Sequence, residues 1–140
     1  MSDSVNHPAH YNAHPAGVEC IDVIEWMPAN CANAFKYLWR CDLKHPAPDE
    51  DLRKAIWYLE REVARERSPQ FVYAAGAEFR CAMMSKDFTR NSVTEVFPPR
   101  ISRAMRLIWD YAASDEGDLG EAVIWIDSER VHRAAEAANA

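Results

Sequence analysis

Hydrophobic residues recur every three or four positions along most of the chain, the spacing that places them on one face of a helix. The stretch from Leu52 to Val63 carries the clearest such stripe. The spacing predicts six helices, over about 19–27, 29–41, 49–67, 68–87, 99–113 and 118–131. The last helix is expected to fray in the Ala-rich tail after Val131. The pattern therefore predicts an all-α protein.

Prolines and polar residues mark the segments between these helices. Pro8 and Pro15 favour an extended N-terminal segment, because the residue before a proline disfavours the helical conformation. Residues 42–48 are predicted to form a loop, with Asp49 as the N-cap of the third helix. Residues 92–97 alternate like a strand that has no partner, so extended coil is predicted over residues 89–99.

A length of 140 residues, of which 49% are hydrophobic, suits a single compact domain. The predicted fold is all-α, with five or six helices and an extended N-terminal segment. Residues 1–67 hold every motif discussed below and form the predicted helical core. Residues 68–140 are predicted to be a helical supplement that packs on this core.

Charge and glycine content exclude several functional classes. The net charge is −6 and the basic residues are divided evenly between the two halves, so broad contact with duplex nucleic acid is not expected. The 4 glycines form neither a P-loop nor a dinucleotide-binding motif. P-loop kinases and Rossmann enzymes are therefore excluded.

The sequence favours a cytoplasmic location without a membrane partner. No apolar run approaches the roughly 18 residues of a transmembrane helix, and the first residues lack the pattern of a signal peptide. The cysteines are not closely paired, so they are expected to be reduced thiols in the core. They are Cys20, Cys31, Cys41 and Cys81.

Three histidines lie in the N-terminal segment. His7, His10 and His14 have a spacing that would suit a metal site if the segment coiled back on itself. A second interpretation makes His10 and Tyr11 a lid over a bound base or phosphate. A third makes the segment a structural clasp across the helices. All three interpretations stay open at this point.

Two further patterns carry candidate chemistry. Glu19 and Asp22, three residues apart on the first helix, would hold Mg²⁺ from one face. Alternatively they are solvent-exposed acids favoured by the helix dipole. In the second helix Lys36 and Arg40 share a face, and such like charges repel unless an anion lies between them. A phosphate group is the natural anion for a lysine beside an arginine fork.

Other polar residues flank this predicted phosphate clamp. Asn33 lies one turn before Lys36, and Lys44 lies in the following loop. The alternative is that Lys36 and Arg40 pair with Glu19 or Asp22. In the third helix Asp51, Lys54 and Tyr58 share a polar face, which is either part of the clamp or a solvated surface. These side chains are candidate ligand-binding residues.

Four sequence blocks resemble a small family of tailed-phage proteins that is catalogued mainly as a domain of unknown function. The blocks are Asn-His-Pro-Ala-His-Tyr at 6–11, Gly-Val-Glu-Cys-Ile-Asp at 17–22, Asn-Ala-Phe-Lys-Tyr-Leu-Trp-Arg at 33–40 and Glu-Asp-Leu-Arg-Lys-Ala-Ile-Trp-Tyr-Leu at 50–59. One relative is an early nucleotide kinase of T-odd coliphages that lacks a P-loop. The resemblance implies a phage origin and nucleotide handling.

The similarity to this one relative adds a kinase hypothesis, in which the protein phosphorylates a deoxynucleoside monophosphate with ATP as the donor. Lys36 and Arg40 would then be catalytic and grip the transferred phosphoryl group. Glu19 and Asp22 would hold Mg²⁺. The remaining candidates would bind the substrate, namely His10, Tyr11, Asn33, Lys44 and Lys54.

Two other functions remain as alternatives. One is a non-catalytic phage protein that binds a host nucleotide signal or a host defence protein. The other is a hydrolase like the helical nucleoside-triphosphate pyrophosphohydrolases, whose second carboxylate pair would come from Asp51 or from Glu60 and Glu62. The Trp-rich helices also make a homo-oligomer a candidate arrangement.

Overall fold

A computed structural model describes residues 14–43, 47–65, 69–114 and 116–140 of the chain. These residues contain seven α-helices and no strand. The helices are α1 (Cys20–Ile24), α2 (Ala29–Arg40), α3 (Pro48–Ala64), α4 (Pro69–Met84), α5 (Arg90–Thr94), α6 (Pro99–Ser114) and α7 (Leu119–Ala138). The predicted all-α fold class is confirmed. None of the helices described is both long enough and apolar enough to cross a membrane.

Helix α2 lies at the centre of the core. Its residues Phe35, Leu38 and Trp39 are at most 1% exposed, because they fall on one helical stripe. The stripe packs against α1, α3 and α6. Helix α7 packs against α3 and α6, while α4 and α5 pack against α6. The opposite, polar face of α2 therefore remains at the surface beside α3.

Aromatic contacts join the two parts of the chain that were predicted as core and supplement. The Trp109 ring lies 6.3 Å from the Phe35 ring and 5.4 Å from the Phe79 ring, measured between centroids. Trp39 lies 5.2 Å from Phe97 in the same way. The division at residue 67 stays a prediction, and the Trp109–Phe35 and Trp39–Phe97 contacts cross it.

The prediction of extended coil over residues 89–99 is wrong, because α5 lies within that range. A capping box starts this short helix. The Ser92 N–H donates to Thr89 Oγ1 at 3.1 Å, and the Thr89 N–H donates to Ser92 Oγ at 2.8 Å. A helix of five residues is too short for hydrophobic periodicity to reveal it.

Three smaller predictions are also wrong. Asp49 is not the N-cap of α3, because the helix begins at Pro48, whose fixed backbone suits the first helical position. The C-terminal tail continues as helix to Ala138, consistent with the high helix propensity of alanine. Cys81 is exposed, whereas Cys20, Cys31 and Cys41 are buried as predicted.

Candidate functional site

Helices α2 and α3 lie side by side, and their polar faces together form the candidate site. Tyr37 of α2 stacks on Tyr58 of α3, with ring centroids 5.9 Å apart and planes inclined by 18°. Both rings are half-buried. The stacked pair therefore fixes how the two polar faces meet.

Three cationic groups converge on the Tyr37 ring. Lys36 Nζ lies 4.9 Å from the ring centroid, Arg40 Cζ lies 4.6 Å from it, and Lys54 Nζ lies 5.5 Å from it. These are cation–π distances. We call this surface the cationic face and define it by Lys36, Tyr37, Arg40, Lys54 and Tyr58.

Arg40 is held by a carboxylate of the neighbouring helix. Its Nε and Nη2 donate to the two oxygens of Asp51 at 3.3 and 3.2 Å. Asp51 is only 5% exposed, so its assignment to a solvated surface is wrong. Arg40 thus has an ion pair with a carboxylate of α3, a partner that was not considered from the sequence. Asp51 orients the guanidinium along the edge of the cationic face.

Lys54 has a carboxylate partner at the surface. Its ammonium lies 3.0 Å from Glu50 Oε1, one turn earlier on α3. The hydrogen bond to Glu50 raises the pKa of Lys54, and the nearby Tyr37 and Asp51 add to that rise. Both side chains of the pair are about half exposed, at 42% and 52%, so an exposed pair of this kind is weak and exchangeable.

Lys36 has an uncharged partner. Its Nζ donates to Asn33 Oδ1 at 3.3 Å, while Asn33 Nδ2 donates back to the carbonyl oxygen of Ala29 at 2.9 Å. Among the described residues no carboxylate forms an ion pair with this ammonium. Asn33 therefore positions Lys36 without neutralising it, and Lys36 is the cation on the face best able to accept an anion.

The predicted Mg²⁺ ligands Glu19 and Asp22 lie at the start of α1. Asp22 Oδ2 accepts the Glu19 N–H at 3.2 Å as part of a capping box. Burial raises the pKa of the Cys20 thiol between them, while the charge of Lys36 lowers it and that of Asp22 raises it. Asp22 and Lys36 therefore have opposite electrostatic effects on the pKa of this thiol.

Metal binding by these acids stays a prediction. Within the described ranges no group of three or more His, Cys, Asp or Glu side chains is arranged to hold a metal ion. A pair of carboxylates still fits Mg²⁺, because this ion takes one or two carboxylates and completes its shell with water and substrate phosphates. Glu19 and Asp22 would form a metal site only together with a bound phosphate.

His14 has a structural role in the N-terminal segment. Its Nδ1 accepts the Ala16 N–H at 3.0 Å and its Nε2 donates to the Val93 carbonyl at 2.8 Å. Its ring also lies 5.4 Å from that of Trp39. Because both ring nitrogens are engaged, His14 supports the clasp interpretation rather than a metal site. The other N-terminal candidates, His7, His10 and Tyr11, lie outside the described residues, as does Lys44.

A buried carboxylate at the opposite end of α3 was not assigned to the core from the sequence. The Glu62 side chain accepts from Asn30 Nδ2 at 3.1 Å and from the Tyr111 hydroxyl at 2.8 Å, and the residue is 1% exposed. Its spacing from Leu59 and Ala55 places it on the apolar stripe of α3, a signal that would have revealed its burial. These bonds tie α2, α3 and α6 together, so a metal-binding role beside Glu60 is not favoured.

Comparison with known proteins gives one match. Residues 5–60 match the family described as a protein of unknown function, DUF3310. The match covers less than half of the chain and includes every member of the cationic face. No curated protein and no solved structure matches the chain.

Proposed function

We propose that this protein binds a nucleotide through its phosphate at the cationic face. The observation that carries the proposal is the convergence of Lys36, Arg40 and Lys54 on one tyrosine ring, with Lys36 paired to a neutral amide. Arg40 and Lys54 have carboxylate partners, whereas Lys36 donates to an amide oxygen, so a phosphate would balance the charge of Lys36. The resemblance to phage proteins that handle nucleotides points to the same ligand class.

The three cations take different roles. Lys36 contacts the phosphate directly, because it holds no carboxylate. Lys54 exchanges its exposed partner Glu50 for the phosphate. Arg40 stays paired with Asp51 and packs against Tyr37. It therefore attracts the phosphate through its electrostatic field and does not contact it directly. The phosphate therefore lies between two lysines over a fixed guanidinium.

An exposed tryptophan beside the face suits the base of the nucleotide. Trp57 is 56% exposed and lies one helical turn after Lys54. Its ring meets that of Tyr58 edge to face, with centroids 4.9 Å apart. Base–aromatic stacking contributes about 1–3 kcal/mol per base. The tryptophan thus distinguishes a nucleotide from inorganic phosphate.

Phosphoryl transfer is the finer proposal that the resemblance adds. In that case ATP is the donor, Glu19 and Asp22 hold Mg²⁺, and a deoxynucleoside monophosphate is the acceptor. The cations then neutralise charge on the transferred group, which is the main requirement of this chemistry. A phage origin and a cytoplasmic setting in the infected cell belong to the same proposal.

A specific observation favours a second candidate, binding without turnover. Arg40 and Asp22, two residues that catalysis would recruit, both make hydrogen bonds that support the fold. A protein that sequesters a host nucleotide needs neither residue to be released. Such a protein would share the phosphate contact through Lys36 and lack phosphoryl transfer.

The test is titration calorimetry with deoxynucleoside monophosphates and ATP, with and without Mg²⁺. We expect Lys36→Met to weaken binding by about 1.5–3 kcal/mol, the scale of a charge-assisted hydrogen bond. Lys86→Met is the matched control, because it removes the same charge outside the face. Equal affinity of the two variants, or no binding by the native chain, would contradict the proposal.

A transfer assay with labelled ATP separates the two candidates. If the protein is a kinase, Asp22→Asn abolishes transfer, while the amide oxygen of the asparagine can still accept the Glu19 N–H. If the protein sequesters its ligand, no transfer occurs and this variant keeps its affinity within a few-fold.

A further inference from the structure

An open surface cavity, lined by two arginines and two carboxylates, lies between α6 and α7, outside the residues that match the family. It has a volume of about 220 Å³. Its lining comprises Arg103, Arg106, Leu107 and Asp110 of α6 with Glu121 and Trp125 of α7. None of these residues belongs to the cationic face.

Two arginines of this cavity have uncharged partners. The Arg103 guanidinium lies over the Trp125 ring, 4.8 Å from its centroid. Arg106 donates through Nε to Thr94 Oγ1 at 2.8 Å. This bond does not use the two terminal nitrogens of the guanidinium. Within the described residues no carboxylate forms an ion pair with either guanidinium. They are three residues apart on α6, so both charges lie on one face and repel each other.

The two carboxylates of the cavity differ in their partners. Asp110 Oδ2 lies 2.6 Å from Arg90 Nη1, so an arginine outside the cavity balances its charge. Glu121 accepts from Trp125 Nε1 at the long distance of 3.4 Å. An uncharged and distant donor leaves the Glu121 carboxylate with capacity for another hydrogen bond. The cavity therefore presents two cations beside one strong acceptor.

We propose that this cavity is a second binding site, for a small phosphate monoester. Arg103 and Arg106 hold the phosphate, since a guanidinium fork matches phosphate oxygens. Glu121 accepts a hydrogen bond from a hydroxyl of the organic part. Because pockets for drug-sized ligands have about 300–1,000 Å³, a cavity of about 220 Å³ suits a pentose phosphate rather than an entire nucleotide. The proposal does not depend on the function of the cationic face.

Titration calorimetry of the full chain tests this site with ribose 5-phosphate, inorganic phosphate, ribose and succinate. We expect ribose 5-phosphate to bind more tightly than inorganic phosphate, and ribose alone not to bind. Arg103→Gln and Arg106→Gln should each weaken ribose 5-phosphate binding about 10-fold to 100-fold. Arg53→Gln is the control, because Arg53 is 62% exposed on α3 and its loss changes the net charge equally.

Two further variants separate the contacts. Glu121→Gln should weaken the binding of ribose 5-phosphate and leave the binding of inorganic phosphate unchanged, because inorganic phosphate has no sugar hydroxyl to contact Glu121. In the Lys36→Met variant, which lacks the proposed phosphate contact of the cationic face, ribose 5-phosphate binding at the cavity should persist and should still be weakened by Arg103→Gln. If Lys36→Met abolished it, the ligand would lie at the cationic face and the cavity proposal would be overturned.

Three other results would overturn the proposal. They are absence of binding by every probe, equal loss in Arg53→Gln and Arg103→Gln, and succinate binding as tightly as ribose 5-phosphate. Arg106→Gln can disturb α5 through the contact with Thr94. Arg103 is exposed and has no such contact, so Arg103→Gln decides the matter even where Arg106→Gln fails to fold.

Discussion

The ion pair of Arg40 and Asp51 combines structural and electrostatic roles in one contact. The side chains are 12% and 7% exposed, so both charges are largely removed from water. A buried pair of this kind adds little net stability when it replaces apolar contacts, but the loss of one partner leaves a charge without compensation. Substitution of Arg40 is therefore expected to destabilise the fold, so a loss of ligand binding in such a variant would not by itself identify Arg40 as a ligand contact.

We predict that Arg40→Ala lowers the free energy of unfolding by about 3–5 kcal/mol, the scale for breaking a buried ion pair. The double variant Arg40→Ala with Asp51→Ala should be more stable than the Arg40→Ala single variant, because it removes the unpaired carboxylate. Urea unfolding followed by circular dichroism measures both. Additive effects of the two substitutions would show that the pair is not coupled.

Thiol reactivity offers a second test at the residue scale. Burial raises the pKa of the Cys41 thiol from 9.0 to about 12, and the nearby Asp42 adds to that rise. Cys20 is shifted upward for the same first reason, and Cys81 is exposed. Since the thiolate is the reactive form, we predict that a chromogenic aromatic disulfide at pH near 8 modifies Cys81 in the native chain and reaches the buried thiols after unfolding. Cys81→Ser should remove the native reaction; a native reaction that persists would contradict the burial of the others.

The same pKa shift gives stability a pH dependence. Between pH 9.0 and about 12 the native Cys41 keeps its proton while the unfolded chain loses it. The free energy of unfolding should therefore fall as the pH rises through this window, by up to about 1.4 kcal/mol per pH unit for one thiol, and be unaffected by this group below it. The free energy of unfolding should fall less steeply with pH in Cys41→Ala than in Cys81→Ala. An equal decline in both variants would assign it to other groups.

At the scale of elements, α5 shows how a short helix anchors the N-terminal segment. The Thr89–Ser92 capping box starts the helix, and the carbonyl of Val93 within it accepts the hydrogen bond from His14. A helix of five residues has little stability of its own, since nucleation is costly. Its stability depends on the cap and on its packing against α6.

We predict that Thr89→Ala destabilises the protein by about 1 kcal/mol, the typical cost of losing an N-cap. The backbone amides of α5 should then exchange hydrogen faster than those of α2. Ser85→Ala is the control, because Ser85 is exposed and donates to a carbonyl within its own turn. Equal effects of the two substitutions would mean that the capping box does not hold α5.

The longer helices follow from periodicity, whereas the parts of the site that depend on packing do not. The stripe of α2 predicts its buried face and hence the exposure of Lys36 on the other side. The burial of Asp51 could not be predicted, because it depends on the angle at which α3 meets α2. The convergence of Lys54 on Tyr37 has the same origin, since the two residues lie on different helices that meet only in the fold. Local sequence specifies each helix, and the site arises where two helices pack.

At the scale of the whole molecule, ion pairs as well as aromatic contacts join the two parts of the chain. Arg130 of α7 pairs with Asp49 at the start of α3, at 2.8 Å. Arg133 pairs with Asp42 after α2 and with Glu129 on its own helix. These contacts are partly exposed and contribute little each. The buried Trp109 cluster supplies the larger coupling, because core burial outweighs exposed ion pairs.

We predict that the chain unfolds in one cooperative transition, because Trp109 packs on Phe35 from the first part and on Phe79 from the second. Circular dichroism and tryptophan fluorescence should give the same urea midpoint and the same free energy of unfolding. Trp109→Leu should lower the midpoint for both signals together by removing both ring contacts, while Trp57→Leu, at a side chain that is 56% exposed, should leave it nearly unchanged. Separate transitions for the two signals would mean that residues 68–140 fold apart from residues 1–67. A ligand at the cationic face would then stabilise one transition alone, whereas in a single cooperative unit it raises the stability of α6 and α7 as much as that of α2.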